Sequence, residues 1–310
     1  MHAEDPATVQ AMRDRTGIGL GTSDFAALLA TGIDFVVLAG PLGARLAQVR
    51  AAAEQAVHCL VYAPMAADLE TATAMAAACD KAQVKLGVAV PGQDDPVLDQ
   101  VRCMIAADWL GGLVCVQGIL GDDELLRRPP APDNSPCLDA TGHHPFLALM
   151  SQHIHLASWL CGRSAVAVTA QTTRGFLSQA HDGGVATAVL RGNVLCTFTV
   201  SRLTRVRAIA IHGTDGGVRI AGDRVWLCGR KEYSGDVFDY VVPDREQSFT
   251  REDLTAALDA LTPTFELHGR FARWIDDCDD FPCPAEQSLL DLRVADAMAR
   301  AAESGRAETV

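Results

Sequence analysis

Four imidazoles fall within thirteen residues of this chain, at His143, His144, His153 and His155, and no other stretch gathers as many groups that titrate near neutrality. Two of them lie in Ser151-Gln152-His153-Ile-His155-Leu-Ala-Ser-Trp159-Leu-Cys-Gly162, which reads as a helix closed by a glycine. On that helix Gln152 and His155 share a face, and His153 lies about 100° away from Gln152. A polar face of this kind can give a proton to a hydroxyl or take one from it. Metal binding is the competing use of clustered imidazoles. His153 and His155, however, are two apart and off a common helical face, and no carboxylate occurs between residues 140 and 181 to complete a ligand set. No metal site is expected. His143, His144 and His153 each have a plainer reading as hydrogen-bonded core residues. Asp139 and Asp182, acids that could reach a cleft, lie in loops where turn roles explain them equally well.

Cysteine offers little further chemistry. The ten thiols are dispersed at 59, 79, 103, 115, 137, 161, 196, 228, 278 and 283, mostly inside apolar segments, and no Cys-x-x-Cys occurs. They read as small buried residues in a reducing compartment. Cys278 and Cys283, in an acidic loop containing proline, are expected to be the exposed ones.

The elements that must position these groups fall into two zones. From about residue 6 to 120, apolar runs such as Phe35-Val-Val-Leu38 and Leu86-Gly-Val-Ala-Val90 alternate with alanine-rich helical stretches at 44–56 and 68–82, which predicts a parallel sheet covered by helices. From about 112 to 230 the strands lengthen and partly alternate, as in Leu195-Cys-Thr-Phe-Thr-Val-Ser201, which suits a mostly antiparallel sheet with one free face. Between them, Leu126-Arg-Arg-Pro-Pro-Ala-Pro-Asp-Asn-Ser-Pro136 is too rich in proline for helix or central strand. With 310 residues, 49% hydrophobic and 21% charged, the chain has material for two domains, divided here at 1–120 and 121–310. A formal charge of −13 disfavours nucleic acid and anionic membranes as partners. No run of about 18 apolar residues occurs, and a cytoplasmic protein is expected.

Several stretches, in order along almost the whole chain, resemble the family of glucose-fructose oxidoreductase, inositol dehydrogenase and the rhizopine-catabolism protein (Gfo/Idh/MocA). They are Thr22-Ser-Asp-Phe-Ala through Asp34-Phe-Val-Val-Leu-Ala-Gly-Pro41, Val57-His-Cys-Leu-Val-Tyr-Ala-Pro-Met-Ala-Ala-Asp68, Asp95-Pro96 through Gly111, Trp159-Leu-Cys-Gly162, Ile211-His-Gly-Thr214-Asp-Gly-Gly217 and Ala301-Ala-Glu-Ser304-Gly-Arg306. The resemblance implies a Rossmann-like parallel domain, incomplete at its start, then a large, mostly antiparallel open sheet with helices on one face, the last helix packing back on the first domain. It also implies NAD or NADP as cofactor, and homo-oligomers formed through the open sheet.

The departures from that family bear on chemistry. Where the family ends a strand in Glu-Lys-Pro, this chain has Tyr62-Ala63-Pro64, so a methyl group replaces the ammonium that shuttles the proton during hydride transfer. By the same resemblance, the sequence is expected to start beyond the strand, glycine-rich turn and helix that grip the pyrophosphate in the family. The Gly17-Ile-Gly19-Leu-Gly21 cluster precedes a helix cap instead of following an apolar strand. Carried over by resemblance, Asp5 would address the adenosine ribose, or simply cap the helix starting at Pro6. Pro41, Tyr62, Ala63 and Pro64 would line the cofactor. Gln152 and His155 match the family's cleft His and Asp, with His153 adjacent. Three readings follow: an oxidoreductase for a sugar, polyol or similar small molecule with weak or absent NAD(P) binding; a non-catalytic ligand-binding or sister-subunit relative; and a redox-neutral isomerase or lyase using His155 or His153 as base.

Overall fold

The computed structural model describes residues 1–121, 150–174, 181–232, 243–250, 252 and 267–310. His143, His144, Asp139 and the proline-rich stretch 126–136 lie outside the described residues. Helix α1 (Pro6–Thr16) starts at Asp5, whose carboxylate accepts from the amides of Ala7 and Thr8, and ends at Gly17 with φ 70°. Helix α2 (Phe25–Leu29) is capped by Asp24 in the same way. There follow β1 (Phe35–Leu38), α3 (Leu42–Glu54), β2 (His58–Tyr62), α4 (Leu69–Ala82), β3 (Leu86–Ala89) and α5 (Pro96–Ala106). Asp68 and Asp95 cap α4 and α5, each cap being worth typically about 1 kcal/mol.

Strands β1, β2 and β3 form a three-stranded sheet, parallel throughout. Its strands are apolar on both faces because both faces are covered. Cys59, Val61 and Val88 point into a core with Val49, Met75 and Cys79, whereas Leu60 and Ala89 face Leu267, Phe271 and Phe281. Gly87 is required there, since a Cβ would stand 2.8 Å from the rings of both Phe271 and Phe281.

The second sheet begins with β4 (Leu113–Gly121). After α6 (Ser151–Cys161) come β5 (Ala165–Arg174), β6 (His181–Leu190), β7 (Val194–Ser201), β8 (Arg207–Gly213), β9 (Gly216–Ala221), β10 (Arg224–Gly229) and β11 (Gln247–Thr250). Helices α7 (Leu267–Ile275) and α8 (Ala285–Ser304) and the short β12 (Glu308–Thr309) close the chain. The nine strands are ordered β11-β10-β9-β8-β4-β7-β6-β5-β12, antiparallel except for the β4–β7 pair. Strict alternation along β7 buries Val194, Cys196, Phe198 and Val200 under helices and exposes Leu195, which is the pattern of a sheet with one free face. Helix α8 serves both units. Leu292 joins the core of the parallel sheet, while Val294, Ala297, Met298 and Ala301 pack on the large one. No helix among the described residues is long and apolar enough to cross a membrane.

One expectation about cysteine is corrected. Cys278 is exposed, but Cys283 is fully buried. Its carbonyl accepts from the amide of Val88 at 2.8 Å, and Pro284 bridges to Gly87, so this segment docks along β3 and turns the thiol inward.

Candidate functional site

In an open α/β sheet the ligand crevice lies beyond the carboxyl ends of the strands, and most of the residues singled out in the sequence gather there. Tyr62 ends β2, and Ala63 and Pro64 follow it. Tyr62 is 38% exposed, and Ala63 and Pro64 line a small, partly open space of ≈ 10 Å³ together with Ser151, Gln152, His155 and Asp291. That is room for about one water molecule. The turn is held from behind by Arg45 of α3, which donates from Nε to the Gly40 carbonyl at 3.2 Å and from Nη1 to the carbonyls of Tyr62 and Pro64. Burial pushes the Arg45 guanidinium down to about 10.

His155 is 1% exposed, and its hydrogen bonds define its protonation state. The Gln93 Oε1 accepts from the backbone N–H of Val90 at 3.0 Å, an unambiguous donor, so the Gln93 amide nitrogen faces His155 Nε2 at 2.8 Å and donates to it. The His155 Nε2 is therefore the acceptor, and Nδ1 carries the proton and donates to Asp291 Oδ2 at 2.7 Å. Gln287 donates to the other oxygen of Asp291 at 3.0 Å. Both imidazole nitrogens are thus taken up by protein groups. The base expected in the cleft is a neutral ring linking the turn after β3, helix α6 and helix α8, so a substrate could reach its Nε2 only by displacing Gln93.

The other candidates separate. Gln152 is on the pocket wall, as its shared face with His155 requires. His153 points away into the large sheet's core, stacked on Phe198 with ring centroids 5.7 Å apart. Its Nδ1 would lie 3.2 Å from a Cβ on Gly118, so β4 has a glycine where the ring passes. Burial first, and Arg207 second, push the His153 pKa down to about 4. It is a core residue. Asp5 is spent on its cap: besides the two amides its carboxylate accepts from the Thr8 hydroxyl at 2.8 Å, and these bonds hold it below the usual carboxylate range. Pro41 is exposed at the start of α3. Lys85 lies at the opposite, amino end of β3, where it contacts the Trp274 carbonyl and Asp277; Lys81 is in the last turn of α4.

Sequence reasoning missed Gln93, Cys283 and Asp291. Only Asp291 left a trace, as an acid on the stripe of α8 that otherwise buries Ser288, Leu292 and Ala295. The ligating atoms of His155, Cys283 and Asp291 all lie within 4.8 Å of one another. Ligation through Nδ1 would require the proton on Nε2 with an acceptor to receive it, whereas Nε2 faces an amide donor. Burial, and then Asp291, also hold the Cys283 thiol well above its usual range. The trio is set for a hydrogen bond, not for a metal ion.

For a dinucleotide, the described residues supply the exposed ledge 39–43 and the strand end at Tyr62. The Gly17–Gly21 cluster makes no phosphate cradle. It joins α1 to α2, and Gly21 packs so closely on Val9 and Arg13 that a Cβ would stand 2.7 Å from the valine.

Residues 2–90 match the family model described as the oxidoreductase family, NAD-binding Rossmann fold, and residues 98–219 match the GFO/IDH/MocA C-terminal domain. No curated protein matches the chain. Among solved structures, the WlbA dehydrogenase from Bordetella pertussis in complex with NADH and UDP-GlcNAcA is similar with a TM-score of 0.80 and 23% identity, over 100% of this chain and 88% of that one. An oxidoreductase from Agrobacterium radiobacter in complex with NAD+, L-tartaric acid and magnesium is similar with a TM-score of 0.78 and 18% identity, over 99% and 89%. The aldose-aldose oxidoreductase from Caulobacter crescentus complexed with glycerol has a TM-score of 0.79 and 18% identity, over 100% and 90%. At these identities the structures speak for the fold. With the two family models laid end to end over a three-stranded parallel unit and a nine-stranded open sheet, the chain belongs to the Gfo/Idh/MocA oxidoreductase family.

Proposed function

We propose that this protein handles a sugar, polyol or related hydroxylated small molecule at the carboxyl end of its parallel sheet, and that NAD(P) hydride transfer there is impaired or lost. The observation that carries the reading is Ala63. It follows β2 in a pocket whose one imidazole among the described residues, His155, has both nitrogens bound. Hydride transfer to or from a hydroxyl needs a proton donor or acceptor beside it, and neither a methyl group nor a locked ring supplies one. The ligand class is supported by relatives named with UDP-GlcNAcA, L-tartaric acid and glycerol. A non-catalytic ligand-binding or partner subunit is the second reading, favoured by the same locked ring. The isomerase or lyase reading is weaker, because its base would first have to shed Gln93.

Titrating the protein into NADH and NADPH while following nicotinamide fluorescence tests the proposal. Little or no saturable change is expected, together with no NAD(P)-dependent turnover across a panel of sugars and polyols. A low-micromolar dissociation constant accompanied by turnover overturns it.

The reading also has the chain self-associate through the free face of the large sheet and work in the cytoplasm. Val114, Ile119, Val185 and Leu195 are exposed on that sheet, Leu195 by 58%, which supports the first point; thiols scattered singly through the cores support the second. Light scattering should give a mass above one chain, and Leu195→Lys should lower it. A monomeric wild type refutes this part.

A further inference from the structure

The side chain that closes off His155 belongs to no helix or strand. Gln93 is 0% exposed, and its carboxamide accepts from the Val90 N–H at 3.0 Å and donates to His155 Nε2 at 2.8 Å. It stands in the short turn between β3 and α5, where the backbone bonds are local. The Gln93 N–H donates to the Val90 carbonyl at 3.1 Å, and the Asp95 N–H to the Gly92 carbonyl at 3.2 Å. Gly92 has φ 101°, a conformation that glycine alone adopts readily, so a pivot lies next to the buried carboxamide.

A latch holds this turn from outside. Arg270 of α7 donates from Nη1 to the Gln93 carbonyl at a long 3.4 Å, and from Nη2 to Asp99 of α5. The two charged side chains are 26% and 23% exposed, so water competes for both. What the turn covers is a bare acceptor, His155 Nε2, and a hydroxyl can donate to it just as the carboxamide does. The adjoining space, lined by Ala63, Pro64, Gln152 and Asp291, would widen by a whole carboxamide if Gln93 swung out. Loops that admit ligands are drawn from the less stable parts of a fold, and a turn held by local bonds and one half-exposed ion pair is such a part.

We propose that the turn from Val90 to Asp95 is a plug. It opens locally about Gly92, and its Gln93 carboxamide holds the place on His155 Nε2 that the hydroxyl of a ligand takes. The Arg270–Asp99 pair sets how often it opens. The identity of the incoming group rests on the reading that a hydroxylated molecule binds in this pocket; the opening itself does not.

Native-state hydrogen exchange on the nitrogen-labelled full chain tests this. The Val90 amide reads the plug, because Gln93 Oε1 covers it, and the Leu60 amide in the central strand β2 reads global unfolding. Val90 should exchange at a rate that low urea leaves unchanged, and Leu60 at a rate that rises with urea. Gln93→Ala would strip partners from two buried groups and could unfold the chain, so the decisive variant is Arg270→Gln, which alters only the latch. It should speed Val90 exchange about tenfold and leave Leu60 nearly unchanged. Glucose, myo-inositol and glycerol serve as ligand probes. One that binds should speed exchange at Val90, by displacing Gln93, while slowing it at Leu60. Equal urea dependence at the two amides, or wild-type exchange at Val90 in Arg270→Gln, would make Gln93 a fixed strut and overturn the proposal. A probe that slows both amides overturns the plug but keeps the polyol reading. Local opening at Val90 that no probe alters supports the plug and counts against that reading.

Discussion

Two faces of helix α6 bury an imidazole two residues apart, and the two rings have been made into different things. Toward the parallel sheet, His155 sits between an amide donor and a carboxylate, with each nitrogen matched to a group of the right kind. Toward the large sheet, His153 lies flat on Phe198, and its Nε2 has no hydrogen-bond partner among the described residues. Burial is nearly the same, 1% against 3% exposed, so burial does not distinguish an imidazole held by hydrogen bonds from a packed one. Partners do. His155 is held in one tautomer by residues from two other segments and so reports on their alignment, whereas His153 behaves as a flat apolar filler that tolerates its ring nitrogen at a cost.

That contrast is most easily broken by pH. His153 has a pKa near 4 in the folded chain against 6.5 in the reference state. Its folded value is depressed, so between these two the unfolded chain binds the proton and the folded chain does not. Stability therefore falls as pH drops through this window and is regained as pH rises. From pH 7 to pH 5 the loss attributable to this residue should be about 2 kcal/mol. Urea unfolding at the two pH values, compared between wild type and His153→Leu, measures it as the difference in pH dependence. Equal dependence in both proteins would mean that His153 is solvated or paired in solution and that the two faces are alike.

The sequence foretold the frame better than the partners. Asp-Pro at 5–6 and 95–96 marked two helix starts, apolar runs marked the covered strands, and alternation from Leu195 to Ser201 marked the free face. These signals are local, each fixed by backbone periodicity or by a cap within one turn. The gathering of Ala63, Pro64, Gln152 and His155 around one pocket was also legible, from the match to a family's order of motifs. The hydrogen-bond partners of His155, Gln93 and Asp291, were not, since they stand 62 and 136 residues from it and obey no spacing rule. Cys283 was misjudged for a related reason. Its acidic, proline-containing neighbours describe the loop's solvent side, and only the pairing with β3 turns the thiol inward.

A smaller effect sharpens the other half of the comparison. If His155 is neutral, with its proton on Nδ1, then Asp291 accepts a hydrogen bond from a neutral donor, and Asp291→Asn keeps an oxygen that can accept it. The loss is then that of weakening one charge-assisted bond, about 1 kcal/mol, with the Gln287 amide turned so that its oxygen accepts from the new Asn nitrogen. If instead the ring were an imidazolium, the same variant would strand a buried cation and cost about 3 kcal/mol or more. Nitrogen NMR of the labelled histidines distinguishes the states directly: a protonated Nδ1 and a bare Nε2 are expected for His155, in wild type and variant alike. The Gln93 amide makes this tautomer the stable one, because a second proton on the ring would point donor at donor. An Nε2 proton in the spectrum, or a large destabilisation with Asn, would mean that Gln93 has turned away and that His155 is free to serve as the cleft base after all.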